Sequence, residues 1–181
     1  DDRAVRLTDA ISQMGIPVAT GRRISVLGAH GGAGATTVAL CLASLAAAYR
    51  HDPVALVDAS DAHGGLLTRL ASAPAMSVEG AARHLHGTSG QRRQGICRGQ
   101  GLHVFSPAAA DGGGRALDGI QRHAGVTFVD TDRVASWAAV TTDEVCARSN
   151  ALVVVGENTV RGAAAVNACL NGLRQSGASS D

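Results

Sequence analysis

The sequence predicts a doubly wound α/β fold on a parallel sheet, and three observations carry that prediction. Short, unbroken apolar runs recur at residues 24–28, 54–57, 102–105, 126–129 and 151–155. Longer segments suited to helices separate them, at 35–50, 64–72 with 77–86, 115–123, 141–148 and 160–175. A glycine-rich turn, AHGGAGATT, follows the first run directly. Strands covered on both faces read as continuous apolar runs, and parallel neighbours need helical crossovers between them.

Taken in order, residues 4–14 place apolar side chains at helical spacing, and Gly15 and Pro17 stop the pattern. Residues 1–22 therefore read as a leading helix and linker, 23–176 as one α/β domain, and 177–181 as a tail. A chain of 181 residues can bury one proper core but hardly two. In the helix after the glycine turn, Val38, Leu42 and Leu45 share one face. Residues 86–101 and 106–115 are polar, glycine-rich and read as loops. Thr141 and Glu144, three apart, form a capping box at the start of a helix.

Composition narrows the chemistry. All 16 basic residues are arginine, so no mechanism that needs a lysine amine is open to this chain. Aromatics are 2% against 45% hydrophobic residues, which leaves Ala, Val, Leu and Ile to build the core. A net charge of +1 argues against an extended nucleic-acid surface. Cys41, Cys97, Cys146 and Cys169 have no metal-ligand spacing, and the three in apolar helical contexts are expected in the core. A reducing, cytoplasmic setting fits them. No apolar run approaches 18 residues and no leader pattern is present, so direct membrane insertion and export are not expected.

The glycine turn is the feature with the most chemistry in it. Gly31, Gly32 and Gly34 admit backbone angles that turn successive N–H groups toward one anion, and a helix N-terminus follows. Thr36 and Thr37 stand where hydroxyls reach a metal ion or a phosphate oxygen. The bland alternative is a tight strand-to-helix connection that binds nothing. A dinucleotide fold is a poorer competitor, because G-x-G-x-x-G counted from Gly32 needs a glycine at Thr37. Asp58 and Asp130 end apolar runs, and ligands of such sheets bind beyond the carboxyl ends of the strands.

Residues 30–37, HGGAGATT, keep the glycines and threonines of the phosphate loop K-G-G-x-G-K-T-T and lose both lysines. Here the chain resembles the MinD/ParA family of deviant-Walker ATPases, in particular its CpaE/TadZ-like branch. VALVDASDAHGGLL (54–67) is similar to the family's second strand and switch, GLHVFSPA (101–108) to its third strand, and VTFVDTD (126–132) to its Walker B strand. Residues 150–173 resemble the next strand and helix. The likeness spans about residues 24–175, in family order. It implies a P-loop NTPase type of sheet with strand order 3-2-4-1-5, in which the strands at 24–28 and 126–129 are neighbours.

The resemblance further implies nucleotide contacts from Gly31, Gly32, Ala33, Gly34, Ala35, Thr36 and Thr37. It implies magnesium held through Thr36, Asp58 and Asp130, with ATP or ADP as the cofactor unless none is bound. The family's signature lysine is replaced by His30 and its phosphate lysine by Ala35; the switch aspartate aligns with Ser60, beside Asp61. Asp58, Asp61 and Asp130 are thus vestigial catalytic candidates. At an effective dielectric near 20, an ammonium about 4 Å from one phosphate charge contributes roughly 4 kcal/mol. Loss of two such charges weakens both MgATP binding and the phosphoryl-transfer transition state. Arg133 and Arg161 are the nearest arginines in sequence to substitute.

The expectation is a pseudo-ATPase that serves as an assembly or positioning factor in a bacterial secretion, pilus, conjugation or division system. Its partner would be a protein of a membrane-associated or positioning machine, with a homodimer also open. Two alternatives stand beside it: a working ATPase completed by a second subunit, and a DNA-binding module that uses Arg92, Arg93 and Arg98.

Overall fold

The computed structural model describes residues 2–59, 66, 76–77, 97–98, 101–106, 113–131, 136–137 and 140–175. Its helices are α1 (Asp2–Met14), α2 (Ala35–Tyr49), α3 (Gly113–His123), α4 (Thr142–Ala147) and α5 (Val160–Gln175). The five apolar runs become β1 (Arg22–Gly28), β2 (Val54–Asp58), β5 (Leu102–Ser106), β6 (Val126–Thr131) and β9 (Ala151–Val155). Four two-residue strands complete the set: β3 (Met76–Ser77), β4 (Cys97–Arg98), β7 (Ser136–Trp137) and β8 (Val140–Thr141).

The long strands are all parallel and run β5-β2-β6-β1-β9 across the sheet. Counted by themselves they give the order 3-2-4-1-5, the P-loop type of α/β fold the sequence predicts. The short strands are corrections. β3 pairs parallel and β4 antiparallel with the outer edge of β5, and β7 and β8 form a separate antiparallel pair. Ser77 therefore lies in a strand where a helix is expected to begin, and Cys97–Arg98 is a strand inside an expected loop. The exposed ladder of an edge strand accepts any passing backbone, and a two-residue pairing leaves no periodicity to read. Helix α3 starts at Gly113, inside the expected 106–115 loop. Residues 67–75, 78–96, 107–112 and 176–181 lie outside the described residues, and with them most of the helices expected at 64–72 and 77–86.

Side chains alternate across each strand, and the two faces of the sheet carry separate cores. On one, Val26, Leu56, Val104 and Phe128 pack against Ala39, Ala43, Ala46 and Ala47 of α2. On the other, Val57, Phe105 and Val129 meet Leu117 and Ile120 of α3, while Leu27 meets Cys169 and Leu173 of α5. The face α2 buries is its alanine stripe: Leu45 is 50% exposed, and Val38 and Leu42 border the core. ATTVALCLASLAAAY carries no charge to mark an outer side, so the methyl stripe that lets the helix lie closest to the sheet wins. Cys41 turns outward with the same rotation, whereas Cys146 and Cys169 are buried as expected.

Helix α1 buries none of its residues, although Met14 borders the α2-side core. Its end is tied by Arg50, whose Nη1 donates to Met14 O at 2.7 Å while Nε and Nη2 hold Asp52 at 2.8 and 2.7 Å. Among the described residues no helix is long and apolar enough to cross a membrane.

Candidate nucleotide site

The glycine turn leaves the sheet from an interior strand, since β1 lies between β6 and β9. Ala29 N–H donates to Val155 O at 2.8 Å and carries the β1–β9 pairing one residue past β1. Ala33 N–H then closes a turn onto His30 O at 3.2 Å. Gly32 (φ 80°) and Gly34 (φ 91°) lie in the left-handed region, which side chains with a Cβ enter only with strain. Gly34 is the N-cap of α2, and no side chain hydrogen-bonds that cap. Val38 N–H is the first to bond back, to Gly34 O at 3.0 Å, so the N–H groups of Ala35 and Thr36 precede the helical ladder. No atom lies within 4 Å of where a Cβ would stand on Gly31, Gly32 or Gly34. The result is an open concave run of backbone donors at the positive end of a helix, which suits a phosphate.

Two acids converge on the same end of the sheet. Asp58 ends β2 directly opposite Asp130 on β6, and Asp130 lies level with Val26 on β1. Alternation puts both on the α2 face with Leu56 and Phe128. They are 2% and 1% exposed. Leu66 N–H donates to Asp58 Oδ2 at 3.3 Å, and Ala59 N–H donates to Asp130 O at 2.7 Å. Neighbouring strands are about 4.8 Å apart, so the pair matches the oxygen-donor chemistry of a divalent cation. Were MgATP to bind, the N–H groups of Ala35 and Thr36 would face its phosphates, and Thr36, Asp58 and Asp130 would be the residues to hold the metal.

The positions that the resemblance assigns to lysine carry no ammonium. His30 is half-buried, and its Nδ1 donates to Gly31 O at 3.0 Å in the tautomer this contact requires. Ala35 offers a methyl group. Thr36 is half-buried and Thr37 exposed. Of the other sequence candidates, Arg161 is exposed at the start of α5, beyond the end of β9. Asp61, Ser60, Arg92, Arg93 and Arg133 lie outside the described residues, and Arg98 enters only as backbone of β4.

Within the segment 150–173, whose likeness to the family implies part of the adenosine-side wall, sequence reasoning did not single out Gly156, Thr159 or Gly162. Gly162 N–H donates to Thr159 Oγ1 at 2.9 Å, a side-chain cap on α5, and a Cβ on Gly162 would overlap the Glu157 carbonyl. Gly156 lies against Ala29 and Val166. The only sequence signal was the run GENTVRG, an N-cap threonine between two glycines.

The sheet order and the glycine turn define a P-loop type of α/β fold whose turn lacks lysine. Comparison with solved structures supports the fold. A ParA family ATPase from Chlorobium tepidum TLS superposes with a TM-score of 0.68 at 15% identity, covering 86% of this chain and 68% of that one. The kinase domain of the Escherichia coli tyrosine kinase ETK gives 0.61 at 16%, covering 97% and 69%. No protein-family model matches the chain, and no curated protein matches its sequence. The likeness is one of fold.

Proposed function

We propose that this chain is a degenerate MinD/ParA-like P-loop protein that works as a non-hydrolysing assembly or positioning factor. Its setting would be a bacterial secretion, pilus, conjugation or division machine, with a protein as partner. The observation that carries the reading is the contrast inside the turn itself. The glycine angles, the open space and the two buried acids are all in place, while both lysine positions hold His30 and Ala35.

Nucleotide would bind weakly, and only as its magnesium complex. Backbone N–H groups alone must then meet the polyphosphate, and Asp58 and Asp130 repel it unless a cation lies between. Hydrolysis would be inefficient, because phosphoryl transfer depends on positioned positive charge that the loop does not supply. Isothermal titration of the wild type and of His30→Lys with Ala35→Lys tests this. Weak or absent MgATP binding that the double variant strengthens supports the reading, and tight wild-type binding overturns it.

The retained acids also suit a working ATPase whose positive charge comes from a second subunit. Dimerisation that depends on MgATP and is lost in Asp58→Ala would favour it.

A further inference from the structure

The structure holds a second cavity, on the opposite face of the sheet from α2 and at the other end of β2 from Asp58. It has a volume of about 220 Å³ and lies between α3 and the strands β2 and β5. Its origin is local: Ala55 on the sheet and Ala124 after α3 both stop at a methyl, where larger side chains would fill the gap. Phe105 and Ile120 complete apolar walls, and His103 and His123 add two imidazoles.

The shape and lining restrict the occupant. A gap between a sheet face and a helix is a slot, so a flat molecule fills it best. An aliphatic cavity of about 150 Å³ holds benzene, and by proportion this one has room for about nine non-hydrogen atoms. Burial holds His103 below the ordinary imidazole value of 6.5, so that ring is uncharged at neutral pH and offers no counter-charge to an anion. Phe105 and the imidazoles suit offset stacking or edge contacts with an aromatic ring.

We propose that this cavity binds a small, uncharged, planar aromatic molecule of indole size. The site is independent of the glycine turn and of any nucleotide.

The test is an NMR titration of the protein with indole, with benzoate as the charged comparison. Expected are saturable shifts of the His103 and His123 ring protons and of the Ala55, Ile120 and Ala124 methyls, with a Kd on the order of 0.1–1 mM. Benzoate should bind at least about tenfold more weakly. Ala124→Leu, which fills the slot, should weaken indole about tenfold or more. No saturable shift of those rings and methyls up to about 10 mM indole overturns the proposal, as that concentration lies well above the range expected for nine atoms. So does binding that a folded Ala124→Leu leaves unchanged, or equal affinity for benzoate. Should that variant not fold, the ring-proton shifts of the wild type decide by themselves.

Discussion

The two ends of the central sheet treat buried charge differently. At the amino end, Arg23 is 1% exposed, and its Nη2 meets Asp118 Oδ1 at 2.8 Å. Asn150 brackets its backbone, accepting from Arg23 N–H at 2.9 Å and donating its own N–H to Arg23 O at 2.8 Å. Ser25 and Ser149 hydrogen-bond beside it at 2.7 Å. At the carboxyl end, two buried acids stand in register next to a loop that contributes no cationic lysine. A counter-ion reaches Arg23 across 95 residues of sequence, whereas the acid end gathers two carboxylates from neighbouring strands.

The largest effect should come from breaking the buried ion pair at the amino end. Asp118→Ala leaves Arg23 buried without its carboxylate. Loss of one partner of a buried pair costs about 3–5 kcal/mol, and the partial exposure of Asp118 reduces this to about 2–3 kcal/mol. Urea denaturation would read it as a lower midpoint with an unchanged slope. An effect below about 0.5 kcal/mol would remove the contrast between the ends.

Gly34→Ala asks whether the cradle's geometry is held by backbone angle alone. There is open space for the methyl, so only the left-handed angle resists, at roughly 1–2 kcal/mol. Gly162→Ala should be worse, since its Cβ meets the Glu157 carbonyl. Thermal melts of the two variants give the ranking.

Asp130→Asn probes the acid end directly. With one of two adjacent acids neutralised, any increase in Tm caused by Mg²⁺ should vanish. A loss of stability would mean that the acids are structural.

The smallest effect is in the pH profile. The unfolded chain takes up a proton at His103 near 6.5, and the folded chain only at lower pH. Below 6.5 the unfolded state therefore binds more protons, and stability falls with the pH. His103→Phe should flatten this part of the curve without changing stability at pH 8.

Much of the architecture was legible because the long elements are redundant. Five uninterrupted apolar runs and the helices between them indicate a covered parallel sheet, while its strand order is what the family resemblance implies. What escaped has physical reasons. The uncharged α2 gives no sign of which side faces the sheet, and Cys41, expected in the core, lies outward. Arg23, at the head of an apolar run, becomes buried only because Asp118 arrives from a distant helix. The slot beside His103 arises from two alanines on different elements, a coincidence that no local pattern announces. At the glycine turn the residue types were readable, and the structure adds the register of Asp58 with Asp130 and the open space above the loop.

The central claim is that the turn keeps a phosphate cradle from which the positive charge has been lost. Isothermal titration of MgATP into wild type and into His30→Lys with Ala35→Lys tests it most directly. The account predicts weak or undetectable binding in the wild type and a gain of at least about tenfold in the double variant, since each restored charge is worth a few kcal/mol before desolvation. Micromolar or tighter binding by the wild type, or no gain on restoring both lysines, would contradict it.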